Sequence, residues 1–142
     1  MTMDARQLMT PAQPCLNESE SVVLAARRMR ALGVSSIPVS GSSDDFIGML
    51  SERDIVERCV ADAQDPRVTR VGALVQYCQQ TVTSDHPADS TVLSMVLRQP
   101  LGQLPVVDNG VLVGVITLAG IASLLIDDRD LDGAAGRTFW PI

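Results

Sequence analysis

Apolar positions along the chain alternate between a helical period and short strand-like runs, and the same alternation occurs twice. Val22, Ala25, Ala26, Met29 and Leu32 recur at helical spacing, and Gly33 supplies a stop. Asn17 and Glu20, just ahead, read as an N-x-x-E start signal of the capping-box kind. Ile37 to Val39 and Phe46 to Leu50 are short apolar runs separated by the polar stretch Ser40-Gly41-Ser42-Ser43-Asp44-Asp45. Two such runs around a polar turn predict an antiparallel hairpin. Ser51 then opens a second helix carrying Ile55, Val56, Cys59 and Val60.

The same order returns downstream. Gly33-Val34-Ser35-Ser36-Ile37-Pro38-Val39 has a counterpart in Pro100-Leu101-Gly102-Gln103-Leu104-Pro105-Val106, an offset of 67 at the prolines. Phe46-Ile47-Gly48-Met49-Leu50-Ser51 matches Leu112-Val113-Gly114-Val115-Ile116-Thr117, an offset of 66 at the glycines. Upstream, Glu20 to Leu24 aligns with Asp89 to Leu93 at an offset of 69, which implies a two-residue deletion in the second copy. The second hairpin runs Leu104 to Val107, Asp108-Asn109-Gly110, Val111 to Ile116, and Asn-Gly supplies the positive φ angles that a tight turn needs. Pro100 ends the helix before it, and the closing helix runs from about Thr117 to Leu125. The chain is a tandem duplication, with copy 1 at 5–60, a linker at 61–70 containing Pro66, copy 2 at 71–126 and a tail at 127–142. A lone hairpin is marginal, so the two copies are expected to pack about a pseudo-twofold axis.

Composition narrows the functional classes. With 142 residues, 46% hydrophobic and 20% charged, the chain is an ordinary globular protein rather than a disordered or fibrous one. Aromatics are only 3%, which leaves the core to Val, Leu, Ile, Ala and Met. The 17 carboxylates outnumber the 11 basic groups, for a net charge of −6. Arg27, Arg28 and Arg30 fall on the polar face of a helix, so a nucleic-acid footprint is not expected. The longest uncharged run, Val111 to Ile126, is shorter than the roughly 20 residues a membrane span needs. No apolar stretch follows a basic one at the start, so no secretory signal is read there. Cys15, Cys59 and Cys78 are widely spaced and form no CxxC pair, which fits a reduced, cytoplasmic compartment. With His86 the sole histidine, a zinc site is not expected, and no motif pairs a nucleophile with a base.

The ordered set Leu8-Met9-Thr10-Pro11, Val34-x-x-Ile37-Pro38-Val39 and Gly48-Met49-Leu50-Ser51-Glu52-Arg53-Asp54-Ile55 resembles a cystathionine β-synthase (CBS) domain. Leu104-Pro105-Val106-Val107-Asp108 and Gly114-Val115-Ile116-Thr117 extend the resemblance to the second copy, so the chain looks like a stand-alone CBS pair. The resemblance implies an α/β (α+β) fold of two β-α-β-β-α repeats. It also implies a non-catalytic regulatory module that forms homodimers and signals to an unidentified protein partner. Its implied ligand is an adenosine-containing molecule (AMP, ADP, ATP, S-adenosylmethionine or NAD(H)) held in clefts between the copies.

The family's ribose pattern, Gly-h-h-Thr/Ser-x-x-Asp, maps onto Gly48, Ser51 and Asp54. A carboxylate can accept both hydroxyls of a ribose diol, the Ser51 hydroxyl adds a hydrogen bond, and Arg53 offers charge for a phosphate. Ile37, Pro38 and nearby backbone would face the adenine, with Thr10, Thr83 and Thr117 lining the cleft. Ser51-x-x-Asp54 is also a helix-start signal that capping alone explains. In the second copy Gly120 stands where the carboxylate belongs, so one good site per chain is expected, and a ligand-free interaction module is the alternative reading. Phe139 and Trp140 in the tail are candidates for docking on a partner subunit.

Overall fold

A computed structural model describes residues 3–78 and 80–131, with residues 125–131 described by backbone only. Phe139 and Trp140 lie outside the described residues. The chain packs as two units, each an α+β assembly of one sheet and its helices. One comprises Gln13–Gln79 and Asn109–Leu112; the other comprises the described parts of Met1–Ala12, Gln80–Asp108 and Val113–Ile142.

The first unit holds β2 (Leu16–Asn17), α2 (Val22–Leu32), β3 (Ser36–Ser40), β4 (Phe46–Ser51), α3 (Glu52–Ile55) and β5 (Gln76–Tyr77). Its sheet runs β2-β3-β4-β5, with β2 parallel to β3 and the other pairs antiparallel. Ser21, not Asn17, caps α2: its Oγ accepts the Leu24 N–H at 3.2 Å. Asn17 ends β2 instead, and its Oδ1 accepts from the Ser19 backbone and hydroxyl at 2.9 and 2.7 Å. A side chain bonded two residues on makes a local turn, so the N-x-x-E signal marks the loop before the helix. Gly33 stops α2 at φ +67°, a conformation that suits glycine. Residues 61–70, expected as a linker, follow the start of α2: the Thr69 and Pro66 carbonyls accept the Val22 and Val23 N–H groups at 3.0 and 3.1 Å. They satisfy donors that a helix start leaves without intrahelical partners. The core joins Leu16, Val22, Ala25, Met29, Ile37, Val39 and Leu50 to Cys59, Val71, Leu74 and Val75.

The chain leaves α3 through a π-helical turn, Val56–Val60. This turn buries Cys59 and leaves Val56 and Val60 58% and 63% exposed.

The second unit is built on α1 (Ala5–Leu8), β1 (Thr10–Pro11), α4 (Ser90–Arg98), β6 (Gln103–Asp108), β7 (Val111–Thr117) from Val113 onward, and α5 (Leu118–Leu131). Its sheet runs β1-β7-β6, and Val82 bridges to Val106 in parallel just as Leu16 pairs with Val39 in the first unit. Asp89 caps α4, and Gln99, extended ahead of Pro100, ends it. Asn109 and Gly110 take φ +51° and +82°, as the tight hairpin requires. The core is Ala5, Val82, Val92, Val96, Leu104, Val106 and Ile116. Val92 and Val96 stand where Ala25 and Met29 stand in the first copy, so the 67-residue offset of the prolines persists through the helix. The two-residue deletion expected upstream is therefore absent; α4 starts one residue later and is shorter, 9 residues against 11.

One lead-in strand from each copy, β1 and β5, joins the other copy's hairpin. β1, near the start of the first copy, pairs with β7 (Thr10 with Val115, Pro11 with Gly114). β5 pairs with β4 (Met49 with Gln76, Gly48 with Tyr77). No helix of the described residues is long and apolar enough to cross a membrane.

Candidate ligand site at the start of the third helix

Gly48 is where the candidate site begins. A Cβ there would fall 2.1 Å from the Gln76 carbonyl oxygen and 2.9 Å from its carbon, so only glycine lets β5 lie this close to β4. Three residues on, β4 gives way to α3 at Ser51. The Ser51 Oγ accepts the Asp54 N–H at 3.1 Å, while Asp54 Oδ2 accepts the Ser51 N–H at 3.0 Å and its hydroxyl at 2.9 Å. This reciprocal arrangement is a complete capping box. The other carboxylate oxygen, Oδ1, accepts from Gln76 Nε2 at 2.8 Å. Asp54 is only 4% exposed, and Gln76 is exposed.

The second copy repeats the frame without the carboxylate. Gly114 makes room for β1: a Cβ there would lie 2.3 Å from Met9 Sδ and 2.8 Å from the Thr10 carbonyl. Thr117 Oγ1 accepts the Gly120 N–H at 2.9 Å and caps α5 alone. Thr10, opposite Val115 as Gln76 is opposite Met49, turns its hydroxyl to the Val115 carbonyl at 3.3 Å.

Of the residues read as ligand contacts, the structure brings together Ser51 and Asp54. Ile37 and Pro38 lie in β3, whose Ser36 pairs with Ser51. The Ile37 side chain is part of the core, and its backbone lies opposite Leu50 in the β3–β4 pair. Pro38 is buried opposite Met49. Arg53 is 82% exposed at its side chain and donates from Nε to Glu57 Oε2 at 2.7 Å, one turn along. Thr10, Thr83 and Thr117 belong to the other unit, where Thr83 donates to Asp85 Oδ1 at 2.6 Å. Gln76 was missed by pattern reading. The duplication itself points to it, because it stands 66 residues after Thr10, the same offset as Gly48 and Gly114.

Elsewhere, His86 Nδ1 lies 3.0 Å from the Pro87 carbonyl oxygen, a local turn contact. The three cysteines are free thiols, and burial pushes Cys15 and Cys78 above the ordinary thiol range. Among the described residues, no three of His, Cys, Asp and Glu come close enough to hold a metal ion.

Residues 5–61 and 80–127 match the CBS domain family. The chain belongs to that family. This CBS pair is 30% identical over 118 residues to hypoxic response protein 1 of Mycobacterium tuberculosis, covering 83% of this chain and 82% of that protein. The crystal structure of that relative, with two coordinated zinc ions, superposes at a TM-score of 0.75 over 85% of this chain and 98% of its own. Arabidopsis thaliana CBSX2 in complex with AMP shares the fold at a TM-score of 0.73 and 21% identity, over 89% of this chain and 98% of its own. A hexameric CBS-CP12 protein from bloom-forming cyanobacteria does so at 0.69 and 22% identity, over 93% of this chain and 83% of its own.

Proposed function

We propose that this CBS pair is a non-catalytic regulatory module that binds an adenosine-containing ligand at one good site per chain, centred on Ser51 and Asp54. The observation that carries this reading is the contrast between the two helix starts. Thr117 begins α5 with a hydroxyl cap alone, so the fold needs no carboxylate there, and Asp54 exceeds what a helix start demands. The capping box holds Asp54 Oδ2 fixed and leaves Oδ1 as an acceptor on a preset group, the arrangement a vicinal diol needs. Arg53 is exposed one residue away and can add charge for a phosphate. CBSX2, which shares the fold, has been solved with AMP, and this supports the ligand class.

The module acts as a cytoplasmic homodimer, in this reading, and ligand binding shifts an equilibrium that a protein partner reads. Exposed apolar side chains support self-association: Leu24, Leu32, Val56 and Val60 in the first unit, and Leu93, Leu97, Leu101 and Leu118 in the second. The hexameric CBS-CP12 protein is a family precedent for assembly.

A second reading, a ligand-free interaction module, is favoured by one observation: the capping box and Gln76 already partner both Asp54 oxygens. Calorimetric titration of AMP, ADP, ATP, S-adenosylmethionine and NADH into wild type and Asp54→Ala separates the two, with folding of the variant checked by circular dichroism. Saturable binding that vanishes in the folded variant supports the sensor. Silence from every ligand in a stable dimer leaves the interaction module.

A further inference from the structure

We infer that Gln76 is the resident occupant of the acceptor that a ribose diol would use, and that its side chain swings away when ligand binds. This rests on the ligand site proposed above. Asp54 has two oxygens with different freedom. Oδ2 holds two bonds to Ser51, and giving up the one from its N–H breaks the capping box at the start of α3. Oδ1 holds one, from Gln76 Nε2 at 2.8 Å, and this is the bond an incoming donor can replace.

The backbone beneath Gln76 cannot yield instead. β5 is pressed onto Gly48, with the Gln76 carbonyl oxygen 2.1 Å from where a Cβ would sit. Met49 pairs with Gln76, and the Cys78 N–H reaches the Ile47 carbonyl at 3.2 Å. The exchange is therefore a side-chain rotation on a fixed strand. Gln76 is exposed, so its amide finds water once released. The carboxylate meanwhile trades one neutral N–H donor for two hydroxyl donors from the diol.

The consequence for affinity has a definite sign. An amide that stabilises the empty site must be displaced, so it weakens apparent binding, and removing it strengthens binding. A single hydrogen bond of ordinary net strength corresponds to about a five-fold change in affinity. Gln76→Ala removes the occupant. Gln76→Thr installs the residue that Thr10 provides at the equivalent place, suited to a strand and too short to reach Asp54.

Titration of AMP and adenosine into wild type, Q76A, Q76T and D54A tests the inference. Both Gln76 variants should bind about five-fold more tightly than wild type, while D54A does not bind. Unchanged or weaker binding in both Gln76 variants, with D54A still silent, overturns the role of Gln76 and leaves the Asp54 site standing. Binding in Q76A where wild type shows none supports the inference most strongly. Silence from wild type and both Gln76 variants overturns the site and the occupant together.

Discussion

At Ser51 the first copy turns into its closing helix with a hydroxyl and a carboxylate; at Thr117 the second copy makes the same turn with a hydroxyl alone. Around both turns the frame is shared. A glycine three residues earlier admits a crossing strand, the hydroxyl accepts the N–H three residues later, and the crossing strand places one side chain beside the turn. What differs is Asp54 with Gln76 against Gly120 with Thr10. The frame is thus what the fold requires, and the carboxylate is a separable addition to it.

The frame itself is the place to expect the largest effect. Gly48→Ala drives a methyl into the backbone of Gln76, which has nowhere to go, and should cost about 3 kcal/mol. Gly114→Ala meets the flexible end of Met9 as well as the Thr10 carbonyl, and should cost about 1–2 kcal/mol. Urea denaturation of the two variants, side by side, checks the order. Equal losses would mean that the two crossings are not distinguished by what stands behind the glycine.

Exchanging the carboxylate sharpens the comparison at a smaller scale. Asp54→Ala breaks the box and leaves the Ser51 N–H without its acceptor, for an expected loss of about 1–2 kcal/mol. Gly120→Asp replaces a helical glycine whose added Cβ would meet only the Thr117 hydroxyl, at 3.3 Å, and the Leu8 carbonyl, at 3.8 Å. It completes the missing box and should raise stability by up to about 1 kcal/mol in thermal unfolding. A destabilised Gly120→Asp would show that the second turn excludes a carboxylate rather than merely lacking one.

The smallest effect concerns acid. The first copy ties the segment before α2 to its own hairpin with neutral groups, Asn17 Nδ2 to the Gly41 carbonyl at 3.2 Å and the Glu18 N–H to the Ser40 carbonyl at 2.8 Å. The second uses Asp108, whose Oδ1 and Oδ2 accept from the Ser84 N–H at 2.9 Å and hydroxyl at 2.6 Å. Those bonds, with Arg6 nearby, hold the Asp108 carboxyl below its ordinary range. A depressed folded value means stability that is present above the unfolded value, about 3.9, and is lost as pH falls through the folded one. The stability gap between wild type and Asp108→Asn should therefore be constant near neutrality and close below about pH 4, as read by urea titrations across pH. A gap that persists to pH 2 would refute the charged tie.

Much of this was readable from residue order. The duplication, both hairpins, the Asn109-Gly110 turn and the helix start at Ser51 all follow from local chemistry, since periodicity and turn residues act within a few positions. The start of α2 was misplaced because Asn17 and Ser21 are both good local hydrogen-bonders, and only the helix geometry selects Ser21. The upstream offset failed because it matched Glu20 to Asp89; the true caps, Ser21 and Asp89, stand 68 apart, and the buried Ala25 and Val92 keep 67. β1 and β5 were illegible: two residues carry no period, and their partners lie far along the chain. Gln76 depends on that pairing, so its contact with Asp54 had no local signature. The exposure of Val56 and Val60 likewise follows from a π turn that a regular helical period does not anticipate.

The crossing of lead-in strands makes the two copies hostages of each other. A single repeat cut free would hold a lead-in without a home and a hairpin with a bare flank, and bare sheet flanks invite sticking. Two free repeats would cure this by swapping lead-ins between molecules. Joining them in one chain makes that swap internal, at an effective concentration on the order of millimolar, and independent of how dilute the protein is.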